Sequence, residues 1–167
     1  MKFRPLLALG LTMLAASTQA FGGATLDRVE QKKELVGVLM ESYPPFSFLN
    51  DQNQLDGFDV DVAKAVAQKL GVKLRLETPS WDVIAAGRWS GRYDICICSM
   101  TPSKARAEVF DFPVEYYASP AVIVVNAKDD RIHEAKDLSG KKVGLTSASS
   151  YESYLNKNLV IEGAEDT

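Results

Sequence analysis

The sequence predicts an α/β protein organised around a parallel sheet. Two apolar, partly β-branched runs, residues 34–40 and 94–98, have the length and composition of strands buried on both faces. Between them, apolar side chains recur at every fourth position over residues 58–70, which is typical of an amphipathic helix that ends at Gly71. With a further strand over residues 72–77, the order of elements indicates a right-handed parallel unit in which residues 94–98 form the central strand.

The segments between these elements carry turn and loop signals. Residues 41–48 contain two consecutive prolines, which exclude a helix and favour an extended loop. Residues 26–33 are expected to be a short polar segment, and a short helix is expected to run to the stop at residues 90–91. Further on, residues 122–125 form a strongly β-favouring run, and a helix is predicted to begin near Tyr151.

Residues 1–20 are predicted to be a secretory signal peptide. Two basic residues precede an apolar run over residues 6–16, and small residues lead to a cleavage site after Ala20, with Ala24 as the weaker option. The apolar run is too short for a stable membrane-spanning helix, although an uncleaved anchor is the alternative. The mature protein is therefore expected in the periplasm.

Composition and charge narrow the class of partner. Hydrophobic residues make up 46% and charged residues 25% of the 167-residue chain, which is ordinary globular material. The formal net charge is −3 and becomes more negative when the basic leader is removed, which argues against nucleic acid and anionic membrane as partners. We expect a monomer whose partner is a small molecule.

The two cysteines are expected to be buried thiols. Cys96 and Cys98 lie two positions apart in a predicted strand, where their Cα atoms would stand near the upper limit for a disulfide. Closing so small a ring would strain the strand. Because His133 is the single histidine and is far away in sequence, neither a metal site nor a cofactor is predicted.

A candidate anion-binding site follows the predicted strand over residues 94–98. Ligands of open parallel sheets bind outside the carboxyl ends of the strands, and Ser99, Thr101 and Arg106 follow such an end. The guanidinium of Arg106 can hold a carboxylate through two hydrogen bonds, although an ordinary surface ion pair is the alternative. Tyr43 also follows a strand end and is expected at the same edge of the sheet.

These motifs resemble those of the periplasmic polar amino-acid binding proteins, the family-3 solute receptors of ABC importers. In that family, an Asp-apolar-apolar-apolar-Ser-Gly-Met-Thr run leads to an Arg. The matching positions here are Asp94, Met100, Thr101 and Arg106. Cys98 stands where the family usually has Ser, and Ser99 where it has Gly or Ser. The Tyr-x-Pro-Phe run at residues 43–46, the Asp-Gly-Phe-Asp run at 56–59 and residues 137–145 extend the resemblance.

The resemblance implies a type II periplasmic binding protein fold with two lobes and parallel-rich sheets. Lobe one is expected over residues 24–118, with the hinge near residues 118–120. Residues 119–167 then form the first part of lobe two. Because family members continue beyond the position of Thr167, the second lobe is expected to be incomplete.

The resemblance also implies roles for individual residues. Thr101 and Arg106 would hold the α-carboxylate of an amino acid, with Cys98 and Ser99 in the adjoining turn. Tyr43 would line the pocket, and Trp81 would stack on the aliphatic part of the ligand, although a Trp that only covers the core is the alternative. Further ligand contacts are implied at Thr146, Ser149, Ser150 and Tyr151, where a plain serine-rich helix cap is the alternative. Asp56 and Asp59 are assigned a capping role before a binding one.

The function implied by the resemblance is capture of an amino acid or similar small zwitterion for an ABC importer, with the transporter permease as protein partner. Met40 stands where many family members carry an acidic residue, which mildly disfavours a cationic ligand, although substitution by Glu41 is the alternative. No catalysis is expected. The alternatives are an enzyme of the periplasmic dehydratase kind and a ligand-sensing ectodomain. Serine hydrolysis is disfavoured, because His133 is the single candidate base for Ser149.

Overall fold

The computed structural model describes residues 23–158, so the predicted signal peptide lies outside the described residues. Three parallel strands form the main sheet of this part of the chain. Strand β1 (Glu34–Val38) lies between β4 (Lys73–Glu77) and β5 (Ile95–Cys96). A short antiparallel pair, β2 (Phe48–Leu49) and β3 (Leu55–Asp56), follows β1 in sequence.

Four helices and two single 3₁₀ turns accompany these strands in the described part of the chain. They are α1 (Ala24–Lys32), α2 (Phe58–Leu70), α3 (Trp81–Ala86), α4 (Ser150–Asn158) and the 3₁₀ turns Arg106–Glu108 and Ala135–Leu138. The predicted helix over residues 58–70 is confirmed, and Gly71 ends it in the left-handed conformation at φ 66°.

Helix α1 replaces the polar segment that the sequence predicted over residues 26–33. Val29 is buried and packs in one cluster with Leu35 of β1 and Ala67 of α2. The helix thus depends on packing against residues that are distant in sequence, and its own apolar pattern is sparse. For this reason the sequence indicated a short polar segment but did not predict that it is helical.

The central strand of the described sheet is β1, and the prediction that residues 94–98 are central was wrong. Strand β5 has only two residues and pairs with Gly37 and Val38 on one side of β1. Before it, the buried Asp94 carboxylate accepts hydrogen bonds from the Val36 amide at 2.8 Å and from Arg28 of α1 at 2.6 Å. The Asp94 amide also donates to the Val36 carbonyl oxygen at 2.9 Å, so Asp94 ties α1 to the sheet where the pairing with β1 begins.

Cys96 and Cys98 form a disulfide, so the prediction of two free thiols was wrong. The prediction assumed that both residues lie in one strand, where Cα atoms two positions apart are separated by about 6.7 Å. Strand β5 ends at Cys96, and the Cα atoms of the pair are 5.6 Å apart, within the usual range for a disulfide. Cys98 is only 2% exposed and packs with Val38, Ile84 and Tyr93.

Helix α3 ends earlier than predicted, because Gly87 adopts the left-handed conformation at φ 65°. A Cβ atom at this position would lie 2.9 Å from side-chain atoms of Val109 and Phe110. Gly87, which was predicted inside the helix, therefore caps the C-terminus of a shorter helix and lets residues 109–110 pack closely against the helix end.

Residues 122–125 are 38–88% exposed and form no strand with any residue that the structure describes. The sequence favoured a β conformation here, but a strand requires a neighbouring strand to pair with. The lobe boundaries and the hinge at residues 118–120 stay predictions. Within residues 23–158, no helix is both long enough and apolar enough to cross a membrane.

Candidate functional site

The predicted site residues converge on one edge of the sheet. Because β1, β4 and β5 run parallel, their carboxyl ends meet at the same edge. Tyr43 lies in the loop after β1, Trp81 begins the helix after β4, and Thr101 lies in the turn after β5. Topology alone therefore places these three side chains around one crevice.

Arg106 joins two segments of the chain above this edge. Its Nη1 donates to the carbonyl oxygen of Thr101 at 2.8 Å, and its Nη2 donates to the carbonyl oxygen of Ala148 at 3.1 Å. The guanidinium also lies over the Trp81 ring, 5.5 Å from its centroid. Partial burial lowers the pKa of Arg106, but a guanidinium remains charged in proteins. A permanent positive charge with a planar set of donors thus stands at the crevice.

Trp81 is both a core residue and a crevice residue. Part of its side chain packs against the cluster that contains Val36 and Ile84, as the alternative reading expected. Its ring also faces the Arg106 guanidinium. The Trp81 Nε1 is buried and has no hydrogen-bond partner among the described residues.

The start of α4 contacts the turn after β5. The hydroxyl groups of Ser150 and Thr101 are 3.4 Å apart. The Ser149 hydroxyl instead accepts a hydrogen bond from the Glu152 amide at 3.2 Å, and the Glu152 carboxylate accepts from the Ala148 amide. Ser149 is therefore a helix cap, which was the alternative reading, whereas Ser150 faces the predicted carboxylate site.

Tyr43 and Tyr151 lie along a groove that adjoins the turn after β5. Both line a groove of about 730 Å³, together with Ser99, Thr101 and the Tyr116–Tyr117 pair. The Tyr43 ring stacks on Phe46 at 5.2 Å. Burial, with smaller contributions from the Tyr151 and Tyr117 phenols, raises the pKa of Tyr43.

Two members of the predicted set lie differently from the rest. Cys98 has its sulfur in the disulfide and its side chain in the core, so the structure does not bring that side chain to the crevice. Thr146 is exposed, and its carbonyl oxygen accepts from the Ser149 amide in the turn before α4. Neither side chain contacts Arg106 in the described part of the chain.

Sequence reasoning missed the role of Asp59 beneath the crevice. Asp59 is 0% exposed, and its carboxylate accepts hydrogen bonds from the Ser99 hydroxyl at 3.2 Å and the Tyr116 hydroxyl at 3.1 Å. It forms no capping hydrogen bond for α2, so the capping prediction was wrong for this residue. The available signal was spacing, because Asp59 precedes the buried Ala63 and Ala67 by four and eight positions.

Burial and hydrogen bonding act in opposite directions on the Asp59 carboxyl. Burial is the larger effect and raises the pKa of Asp59, whereas the hydrogen bonds from Tyr116 and Ser99 favour the ionised form. Burial likewise raises the pKa of Tyr116. Asp56, which precedes α2, accepts from the Gly57 amide at 2.7 Å.

Comparison with known proteins places this geometry in a family. The chain is 36% identical to the probable amino-acid ABC transporter-binding protein of Haemophilus influenzae, over 91% of this chain and 58% of that protein. It is also 36% identical to the L-cystine-binding protein TcyJ of Escherichia coli strain K12, over 80% of this chain and 51% of that protein. The chain thus spans about half the length of these curated relatives.

Solved structures give the same result for the fold. Truncated, arginine-bound ArgBP from T. maritima matches with a TM-score of 0.73 and 29% identity, covering 81% of this chain and 65% of that chain. The ancestral amino acid-binding protein AncCDT-1, a precursor of cyclohexadienyl dehydratase, matches with a TM-score of 0.74 and 31% identity, covering 83% and 62%.

The parallel sheet with a polar crevice at its carboxyl edge defines an α/β fold of the type II periplasmic binding protein class. Residues 35–161 match the model of one family within that class. The chain belongs to the bacterial extracellular solute-binding proteins, family 3.

Proposed function

We propose that the protein captures an amino acid outside the cytoplasm and delivers it to the permease of an ABC importer. The observation that carries this proposal is the position of Arg106, whose guanidinium lies over Trp81 and donates to carbonyl oxygens of Thr101 and Ala148. A carboxylate placed there would accept two parallel charge-assisted hydrogen bonds. The Thr101 and Ser150 hydroxyl groups, 3.4 Å apart, are additional donors.

The rest of the crevice suits the remainder of an amino acid. The Trp81 ring offers an apolar face for the aliphatic part of a side chain. Tyr43 and Tyr151 line the adjoining groove, where their phenol groups can bond polar atoms. This distribution of one cation, several hydroxyl groups and aromatic faces supports a zwitterion of amino-acid size.

A binding function without catalysis is proposed over the dehydratase alternative. Proton abstraction needs a positioned base. The hydrogen bonds that the Arg106 and Thr101 side chains make within residues 23–158 involve no Asp, Glu, His or Lys side chain. Export through a cleaved signal peptide to the periplasm, and action as a monomer, complete the proposal.

The test is a thermal-shift screen of the purified full-length protein against the common L-amino acids and L-cystine, followed by calorimetry. At least one amino acid should raise the melting temperature and bind with a saturable heat, because a ligand that binds only the folded state stabilises it. A prephenate-like acid serves as the enzyme control. Conversion of that acid to product, or no response to any amino acid, would overturn the proposal.

Substitutions at Trp81 separate its packing contact with the core from the contact of its ring with Arg106. Trp81→Leu keeps apolar packing but removes the aromatic face beneath Arg106, and we expect amino-acid affinity to fall about fivefold, near 1 kcal/mol. Trp81→Phe, which keeps an aromatic ring, should retain most of the affinity. Calorimetry and thermal melts of both variants distinguish the contributions. If Trp81→Leu lost its cooperative melt but kept its affinity, Trp81 would be a core residue only.

A further inference from the structure

We infer that Asp59 and Tyr116 are positioning residues that fix the ligand-binding turn at Ser99–Thr101 and join it to the chain segment leading to the predicted hinge. This inference rests on the proposed amino-acid-binding function. It assigns no direct ligand contact to either residue. Its basis is a closed set of hydrogen bonds beneath the crevice.

Asp59, Ser99 and Tyr116 form a triangle in which each residue is bonded to the other two. The Ser99 hydroxyl donates to the Asp59 carboxylate, with both oxygens at 3.2 Å. The Tyr116 hydroxyl donates to the same carboxylate at 3.1 Å and accepts from the Ser99 amide at 2.8 Å. The triangle joins α2, the turn after β5 and the segment before the predicted hinge, which are distant in sequence.

The backbone of Ser99 needs such support. Its φ is 50°, in the left-handed region, which costs a residue with a Cβ about 1 kcal/mol. Thr101, whose carbonyl oxygen accepts from Arg106, lies two residues further along the chain. The hydrogen bonds to the Ser99 amide and hydroxyl fix the turn. They therefore determine the position of the Thr101 carbonyl oxygen relative to the Arg106 guanidinium.

The other end of the network reaches the loop that carries Tyr43. The Asp59 amide donates to the Phe46 carbonyl oxygen at 2.8 Å, which fixes the start of α2 against that loop. The Tyr117 ring, next to Tyr116, lies 4.6 Å from the Phe46 ring between centroids. The network thus sets the relative positions of two crevice walls and of the chain that leaves them.

A buried carboxylate is an inefficient way to stabilise a fold. Removing the charge from water costs several kcal/mol, and neutral hydroxyl donors return only part of that. The Asp59 carboxylate accepts from both hydroxyl donors at once, with its two oxygens equally distant from the Ser99 hydroxyl. An asparagine could keep the oxygen that accepts from both hydroxyl groups, but it would lose the second acceptor oxygen and the charge that strengthens both hydrogen bonds. The Asp59 carboxylate is therefore better suited to holding the Ser99 and Tyr116 hydroxyl groups in position than to stabilising the fold.

The experiment uses Asp59→Asn and Tyr116→Phe in the full-length protein, titrated by calorimetry with L-cystine and with L-arginine. We expect each variant to bind the amino acid that the wild type binds at least tenfold more weakly. Asp61→Asn is the matched control, because Asp61 lies on the same turn of α2 but is exposed and pairs only with Lys64 among the described residues. Its affinity should equal that of the wild type.

Hydrogen exchange of the protein without added amino acid provides a second readout. If Asp59 and Tyr116 position the turn, the Ser99 amide should exchange faster in both variants, whereas the amides of β1 should keep their protection. Faster exchange throughout β1, or loss of folding in Tyr116→Phe, would show a general structural role and overturn the inference. Unchanged affinity and unchanged Ser99 exchange would overturn it as well. If the wild type bound no amino acid in the thermal-shift screen, the proposed function would fail, whereas exchange at Ser99 would still decide the positioning role.

Discussion

Arg106→Lys is expected to weaken amino-acid binding by about 2–4 kcal/mol, a 30-fold to 1,000-fold increase in Kd. The guanidinium reaches the Thr101 and Ala148 carbonyl oxygens with two nitrogens while its face lies over Trp81. An ammonium group is a single point of charge and cannot reproduce this planar pair of donors. Calorimetry on the full-length protein with the amino acid identified by the thermal-shift screen measures the loss.

Arg131→Lys is the control for this substitution. Arg131 also makes a two-nitrogen contact, with Asp129, but it is exposed and its described partners include no crevice residue. Its replacement should leave the Kd unchanged, because an exposed ion pair of this kind contributes little. An unchanged Kd for Arg106→Lys would show that Arg106 does not hold the carboxylate.

Gly57→Ala is expected to destabilise the fold by about 3 kcal/mol or more, because steric overlap and backbone strain add. Gly57 precedes α2 with φ 120°, a conformation that side chains with a Cβ rarely adopt. A Cβ atom here would lie 2.5 Å from the Phe46 carbonyl oxygen and 2.8 Å from that of Pro45. Since both obstacles are backbone atoms, rotation of a side chain cannot relieve the overlap.

Gly71→Ala provides the matched comparison at the other end of the same helix. Its φ of 66° is also positive, but no atom lies within 4 Å of the position that a Cβ would occupy. It should cost only about 1 kcal/mol, the penalty for the left-handed conformation. Urea unfolding of both variants measures the difference. Equal losses would mean that the contact with the Phe46 carbonyl group relaxes freely.

The sequence could predict those features that depend on local pattern and on parallel topology. Helix α2 is encoded by its apolar period and by Gly71, and it appears at the predicted bounds. Tyr43, Trp81 and Thr101 share an edge because each follows a parallel strand. These patterns predict the α/β class, whereas the family was predicted from the resemblance of the motifs at residues 43–46, 56–59 and 94–106.

Features that depend on distant partners could not be predicted. Helix α1 packs Val29 against β1 and α2, and its own sequence is mostly polar, with few apolar residues. The Cys96–Cys98 disulfide depends on where β5 ends. The inward direction of Asp59 depends on how α2 is rotated about its axis, which the helical period gives only together with the position of the core. In each case the structure depends on residues that are distant in sequence, which a local pattern does not identify.

The two carbonyl acceptors of Arg106 have a consequence for chemical selectivity. A ligand carboxylate that binds the guanidinium exchanges neutral acceptors, the carbonyl oxygens of Thr101 and Ala148, for a charged one. Charge-assisted hydrogen bonds are roughly twice as strong as neutral ones, so this exchange is favourable. The carboxamide of an amino-acid amide would replace one neutral acceptor with another and gain almost nothing. We therefore expect the proposed site to bind free amino acids more tightly than their amides or peptides, because only the free carboxylate is a charged acceptor.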